Sequence, residues 1–394
     1  MAFGLFCLFV FAIPWENALL FPEIGTISRL LGLVAFPVAV LAILESGQLR
    51  WPSVPFVLMS LFVAWGSLSY LWTADAEASN TLIPLWLQNL GMVWLMWELA
   101  AHRERQLLLM QAYVFGTFVS AADTLFSYLR GQEVSYQRYA GSGFDPNDLG
   151  LVLALSLPIS FYLATVQRRS RVVWVYRLQQ LLAISAIGLT SSRAAFISAA
   201  VALIYVPLAS LNMAFREKCA FLLLGVITVG CALTLLPASS WQRLRGTGTE
   251  LEEGTWDARK PIWSAGLEVF QDHPIRGVGA GAFDAATQRA LVREEVAHNT
   301  FLSILVEEGL LGFGLFLLFL LSLVLPALRL PNLERNLWLI MLATWAIGAF
   351  TLTWENRKPT WFFFGLIAAW SATRSLSQRG SGSHPDFARR MISI

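Results

Sequence analysis

The sequence predicts an all-α, polytopic transmembrane bundle of about twelve spans with one helical loop outside the membrane. Three observations predict it. Apolar residues make up 56% of the 394 residues and charged residues only 14%, against roughly 25% charged in a soluble domain. The apolar residues fall in runs long enough for a helix to cross roughly 30 Å of hydrocarbon. Sixteen Trp suit interfacial belts, where the indole has one dry and one wet side. The net charge of +2 does not point to nucleic acid as a partner.

In chain order the spans are read at 3–22, 26–44, 54–73, 82–100, 105–129, 147–166, 173–190, 193–211, 217–237, 300–326, 335–354 and 359–377. The first is read as a retained span: no basic segment precedes it and no small-residue cleavage site follows. Thr190-Ser191-Ser192-Arg193 is a polar break that divides one long apolar stretch in two. Residues 1–237 thus hold nine spans, 238–299 the loop and 300–377 three spans. Residues 378–394 form a Gly/Ser/Arg-rich tail with too little apolar surface to bury. Cys7, Cys219 and Cys231 lie in or beside apolar runs at no metal-ligand spacing and read as small core residues.

Lys and Arg set the orientation. Alternate connections carry Arg50; Arg103 and Arg105; Arg168, Arg169, Arg171 and Arg177; Arg216 and Lys218; Arg329 and Arg335. The tail adds Arg374, Arg379, Arg389 and Arg390. These belong in the cytoplasm, as do both termini. The segment Asp75-Ala76-Glu77 and the loop 238–299 then face outward.

Within that loop, Trp256 to Asp272 reads as an amphipathic helix with Pro261 near its start. Ile262, Trp263, Gly266, Leu267 and Phe270 would share its apolar face, laid on the membrane or capping the bundle. His273 precedes Pro274, where the helix should end. Gly277, Gly279 and Gly281 follow at two-residue spacing. That spacing does not fit a dinucleotide fingerprint; it fits a turn that brings backbone close to something.

Several polar residues on the outward side are candidates for chemistry. His298 joins the loop to an apolar helix that Asn299 begins. A neutral imidazole there can take a proton from a hydroxyl; the plainer reading is an interfacial His with a satisfied hydrogen bond. Arg193 opens a span and can bind phosphate through its planar fork, or simply anchor a helix end. Arg259 and Lys260 precede the amphipathic helix, and Arg357 and Lys358 form another outward cation pair. Converging cations would suit a pyrophosphate; otherwise they form a solvated rim. In Phe144-Asp145-Pro146-Asn147-Asp148, Asn147 or Asp148 reads as a helix cap. Glu307 lies roughly two and a half turns below His298 and points away from it, which favours a structural hydrogen-bond partner over a catalytic acid. Glu250, Glu252, Glu253, Asp257, Glu294 and Glu295 form no DxD pair, so a metal-independent mechanism is the simpler expectation.

Taken together, these segments resemble the O-antigen ligase and O-antigen polymerase superfamily. His298-Asn299-Thr300-Phe301-Leu302 with Glu307 and Gly309 is similar to its H-N-x-x-L…E-x-G signature. Ser192-Arg193 is similar to its T/S-S-R-G/A helix start, with Ala194 where Gly is frequent. Phe144 to Asp148 resembles its x-x-P-N-x-x-A/G motif. Arg259 to Trp263 and His273 to Gly279 resemble the stretch before the signature His. The resemblance covers about residues 140–315.

It implies a GT-C-like bundle in the bacterial inner membrane with its site facing the periplasm. The donor would be a glycan on undecaprenyl pyrophosphate. The acceptor would be lipid A core oligosaccharide for a ligase, or a second lipid-linked repeat for a polymerase. Arg193 and Arg259 would neutralise the leaving pyrophosphate, and His298 would orient or deprotonate the acceptor hydroxyl. Asn299, Lys260, Asn147, Arg357 and Lys358 would contact substrate. The reaction would invert the anomeric centre without cofactor, metal or nucleotide sugar. Two other classes compete: a transporter or flippase of an anionic solute, and a non-catalytic assembly protein. The first tends to carry inverted repeats and mid-membrane sites, and no such repeat is evident.

Overall fold

A computed structural model describes residues 1–134, 138–168, 170–210, 219, 259–288, 290–291 and 295–381. Apart from Cys219, the expected span 217–237 therefore lies outside the described residues. So do Arg169, Arg216, Lys218, Cys231, Trp256, the tail from 382, and the acids Glu250, Glu252, Glu253, Asp257 and Glu294.

Pro14 decides how the chain begins. Helix α1 (Ala2–Ala12) gives way to a 3-10 helix, Ile13–Ala18, with Pro14 in its first turn and Trp15 out of helical geometry. Two short antiparallel strands, β1 (Leu20–Phe21) and β2 (Gly25–Thr26), complete the turn. The expected first span 3–22 is thus a short helix and a folded-back connection, because proline supplies no N–H to continue the helix.

The other described elements are helical. In order come α2 (Ile27–Ser46), α3 (Val54–Leu68), α4 (Ala76–Leu99), α5 (Arg103–Leu129), α6 (Pro146–Val166) and α7 (Val173–Thr190). Next are α8 (Arg193–Leu203), α9 (Tyr205–Ser210), α10 (Lys260–Asp272) and α11 (Phe283–Thr287). The chain closes with α12 (Thr300–Ala327), α13 (Asn332–Ala349) and α14 (Lys358–Ser381). Among the described residues, six stretches are long and apolar enough to cross a membrane: α2, Val54–Leu71, α5, α6, Arg193–Ser210 and α12. The protein is an all-α polytopic membrane bundle. Of the cysteines expected in the core, Cys7 is partly buried and Cys219 is exposed.

Helix α6 is buried along nearly its whole length and packs against α5, α7, α8 and α13. Small residues allow its closest approach: a side chain at Gly150 would run into Ala195 of α8.

Polar contacts link the starts of α4, α6, α8, α12 and α14 at one end, here termed the site end. The opposite end carries an arginine belt. Arg103 pairs with Glu334 at 2.6 Å and donates to the Tyr162 hydroxyl. Arg50 lies over the Trp97 ring, and Arg105 donates to the Leu99 carbonyl.

Helix α12 is broken inside the bundle. Gly309 sits at φ 63°, ψ −169°, which leaves backbone groups of the neighbouring turns without helical partners. The glycine-rich stretch Pro274–Gly281 supplies them. Val278 N donates to Val306 O at 3.1 Å and Gly279 N to Glu307 O at 2.8 Å. Leu310 N and Leu311 N donate to Pro274 O and Ile275 O. Gly277 and Gly279 adopt positive φ, and a side chain on either would strike backbone of the α12 break or Thr73. The glycine spacing therefore serves a close backbone approach.

The amphipathic helix caps this region. α10 packs on α12, and Ile262, Ala265 and Gly266 are its buried residues. Leu267, expected on the buried face, is 47% exposed. Phe283 causes the rotation: its ring fills the space beside Gly266 and, with Val278 and Ala282, joins Ile262 in one apolar cluster. The helix ends at His273, ahead of Pro274.

Candidate functional site

Helix starts supply the frame. Asp145 caps α6, accepting from Asn147 N at 2.7 Å and Asp148 N at 3.4 Å. The cap is therefore Asp145 and not Asn147 or Asp148, since the carboxylate just ahead of Pro146 is the one that reaches the free N–H groups. Asn147 instead accepts from Arg138 at 2.8 Å, and Arg138 also donates to Thr190 O at 2.9 Å. Thr190 ends α7 just before the Ser191 turn, at φ 50°, and the Ser192 cap of α8. Arg193, half-buried, is the first residue of α8. The α6 start and the Arg193 start are thus fastened together through Arg138.

Asp148 ties α6 to the connection between α13 and α14. Its carboxylate accepts from the Trp354 indole at 2.9 Å and from Arg357 at 2.6 Å. Trp354 N in turn donates to the Thr300 hydroxyl at 2.8 Å, and that hydroxyl donates to Leu352 O at 2.7 Å. Asn299 caps α12, accepting from Phe301 N at 3.0 Å and Leu302 N at 3.2 Å. It is 9% exposed, and its carbonyl is committed to the cap.

His298 stands directly before that cap at φ 46°. A non-glycine residue there is strained and must be held by its surroundings. Desolvation, and then the Arg259 guanidinium, lower its pKa. Glu295, Asp145 and Asp148 act in the opposite sense and do not cancel the shift. The imidazole is therefore neutral near pH 7, with a ring nitrogen able to accept a proton. Arg259, half-buried at the start of α10, has a pKa lowered by desolvation, but a guanidinium remains a cation throughout the physiological range. The indole of Trp263, on the first turn of α10, donates to Ala297 O at 3.1 Å, which fixes α10 against the backbone just before His298.

The other expected cations are occupied differently from the sequence reading. Arg357 is paired with Asp148, and Lys358 with Glu16 at 2.6 Å. Glu16 also accepts from Thr26 and Ser28. Both ion pairs fasten helix starts, in place of the solvated rim or pyrophosphate contacts expected; the acids that claim them come from distant parts of the chain. Lys260 is exposed on the first residue of α10. Glu307 is the hydrogen-bond partner its position implied: it accepts from Gly281 N at 2.8 Å and Ser303 at 3.2 Å.

Three residues escaped the sequence reading. Arg138 carries a signal in retrospect, as an outward cation just before a capped helix. Glu16 and Glu355 lie in stretches read as apolar span or connection. Glu355 is buried with one carboxyl oxygen unpartnered, and burial pushes its pKa up to about 7. Among the described residues, no group of three or more His, Cys, Asp or Glu is placed to hold a metal ion.

A half-buried imidazole, its pKa lowered by desolvation and by the Arg259 guanidinium, thus stands at one end of an apolar membrane bundle. Residues 180–317, about a third of the chain, match the family model described as O-Antigen ligase. Over that stretch the chain is similar to the O-antigen ligase family, which supports the resemblance to the O-antigen ligase and polymerase superfamily. The matched stretch contains Arg193, Arg259, His298 and Glu307. No curated protein matches the sequence.

Proposed function

We propose that the protein is an O-antigen ligase-type glycosyltransferase, moving a glycan from undecaprenyl pyrophosphate to lipid A core oligosaccharide at the periplasmic face of the inner membrane. The observation that carries this reading is the pairing of His298, held neutral, with Arg259, held cationic, at the start of α12. An acceptor hydroxyl oxygen attacks the anomeric carbon from the side opposite the pyrophosphate. The new C–O bond forms as the bond to the phosphate oxygen breaks, which inverts the centre. His298 takes the hydroxyl proton, or orients the hydroxyl for attack. Arg193 and Arg259 receive the negative charge that develops on the leaving pyrophosphate. Fixed cations of this kind are worth several kcal/mol, and losing one donor commonly costs roughly a hundredfold in rate. Asn147, Asn299, Arg357 and Lys358 then act mainly on geometry: they hold the helix starts that carry the reacting groups.

The test is complementation of a ligase-deficient strain, with lipopolysaccharide read as a gel ladder. Wild type should restore the long-chain ladder, and His298→Ala should not at equal expression. A ladder restored only in a polymerase-deficient strain would replace the ligase by a polymerase joining lipid-linked repeats. Restoration by His298→Ala would remove the catalytic role.

A further inference from the structure

A pocket of about 470 Å³ opens at the end of the bundle opposite the candidate site, where the link between α2 and α3 meets the last turn of α4. Its volume falls in the range of roughly 300–1,000 Å³ usual for small-ligand sites. The sequence explains its place. Ser46 ends one apolar stretch and Val54 begins the next, and both stretches are long enough to cross a membrane. The link between them therefore lies at a membrane surface. Trp51, on the link, is 91% exposed, and Leu44, Leu49 and Val54 around it are exposed as well. An apolar rim of this kind, with an indole in it, suits the headgroup zone of a bilayer.

Aromatic rings and one charge of each sign line the pocket. Trp51, Phe56, Trp94 and Trp97 form its walls, and Arg50 and Glu98 stand among them. The two charges are held side by side. The Glu98 carboxylate accepts from Arg50 N at 3.2 and 3.3 Å, one contact to each oxygen. The Arg50 guanidinium turns instead to Trp97, lying 4.1 Å over its ring and donating to its carbonyl. One N–H of the guanidinium is thereby committed, and the others remain for an anionic oxygen. The carboxylate keeps lone pairs for a cationic donor. Trp97 itself is 6% exposed, and its indole N–H has no partner. A buried donor without an acceptor is costly, and an anionic oxygen held at Arg50 would lie beside the same ring.

We propose that this pocket binds the phosphoethanolamine headgroup of a phospholipid, with the phosphate at Arg50 and the primary ammonium at Glu98. Charge selects this occupant. A zwitterionic headgroup meets both charges and leaves neither uncompensated where water is partly excluded. Phosphatidylglycerol supplies the phosphate but no cation for Glu98. Phosphatidylcholine supplies both charges, yet its trimethylammonium has no N–H to donate to the carboxylate. A free phosphate leaves the aromatic walls and the apolar rim unused. The faces of the tryptophan rings favour the ammonium, and the rim receives the first carbons of the acyl chains. The pocket is separate from His298 and Arg259: it lies at the end of α4, whereas they stand at the site end.

The test is native mass spectrometry of the full-length protein in detergent, with phosphatidylethanolamine, phosphatidylglycerol and phosphatidylcholine of identical acyl chains. Phosphatidylethanolamine should bind about tenfold more tightly than either of the others, equivalent to roughly 1.4 kcal/mol. Glu98→Gln keeps an acceptor for Arg50 N, so the link stays in place; it should remove that preference without weakening phosphatidylglycerol. Arg50→Ala should weaken all three lipids. Trp51→Ala, at an exposed position, keeps the test valid if Arg50→Ala fails to fold, and should weaken phosphatidylethanolamine several-fold. A phosphatidylethanolamine with a diazirine beside its glycerol, in vesicles of phosphatidylcholine, should label residues 47–56 and 94–98. Equal binding of the three lipids, an unchanged preference in Glu98→Gln, or labels confined to other helices would overturn the proposal. Displacement of the lipid by millimolar inorganic phosphate would leave a phosphate site only and overturn the lipid assignment.

Discussion

Gly279→Ala is the substitution that tests the architecture of the site end most sharply. Gly279 sits at φ +104°, and an added Cβ would lie 2.5 Å from Thr73 Cβ and 2.6 Å from Thr73 Cα. The Thr73 backbone cannot swing aside as a flexible side-chain tip would. A left-handed conformation costs a residue with a Cβ roughly 1–2 kcal/mol. Relieving the clash displaces the strand-like contact, in which Gly279 N bonds Glu307 O, Val278 N bonds Val306 O and Ala74 N bonds Val278 O. Each such bond is worth about 1 kcal/mol net, so the total loss is on the order of 3–5 kcal/mol. At roughly 2 °C per kcal/mol in a larger chain, the unfolding midpoint of the detergent-purified protein should drop by about 6 °C or more. Gly314→Ala, on the same helix α12 as the break at Gly309, meets nothing within 4 Å and should be neutral or slightly stabilising. A Gly279→Ala midpoint indistinguishable from wild type would refute the insertion of the glycine arc into the α12 break.

Three further outcomes follow from the same contacts. Asp148→Asn keeps an acceptor for the Trp354 indole but loses the pair with Arg357, whose side chain is 49% exposed; the discounted ion pair is worth about 0.5 kcal/mol. Asp148→Ala also abandons the indole, so it should cost about 2 kcal/mol more, read by thermal unfolding. The His298 pKa lies below its ordinary value of 6.5, so the active neutral form persists down to that pH; transfer rate should stay level from pH 8 and fall only below it. Asp148→Asn removes an anion that raises the His298 pKa and should move this acid limb to lower pH. Glu355 is raised by burial from 4.5 to about 7, so the folded state holds a proton that the unfolded state releases. Its stability contribution is present below pH 4.5 and lost as pH rises toward 7. Glu355→Gln should abolish that portion of the pH dependence of unfolding, and an unchanged profile would contradict it.

Local chemistry was legible in the sequence, and non-local pairing was not. The helices at 54–73, 105–129 and 147–166 announce themselves through long apolar runs, and the starts at Arg193 and Asn299 through the polar residues that precede the apolar ones. The break at Pro14 was visible as a residue but hidden by the apolar stretch around it. Helix α10 has the expected period and end, yet Phe283, brought from another segment, chooses which face is buried. The ion pairs Asp148–Arg357 and Glu16–Lys358 join residues 209 and 342 positions apart; nothing local in either partner names the other. The glycine spacing at 277–281 signalled a close approach, but the partner, a broken turn at Gly309, follows only from the fold.

The most direct measurement is transfer by purified protein in vesicles, with a lipid-linked glycan as donor and lipid A core oligosaccharide as acceptor. Wild type should elongate the acceptor with time. His298→Ala and Arg259→Ala should each lose roughly a hundredfold or more in rate at unchanged thermal stability. Elongation by His298→Ala at the wild-type rate would contradict a catalytic His298.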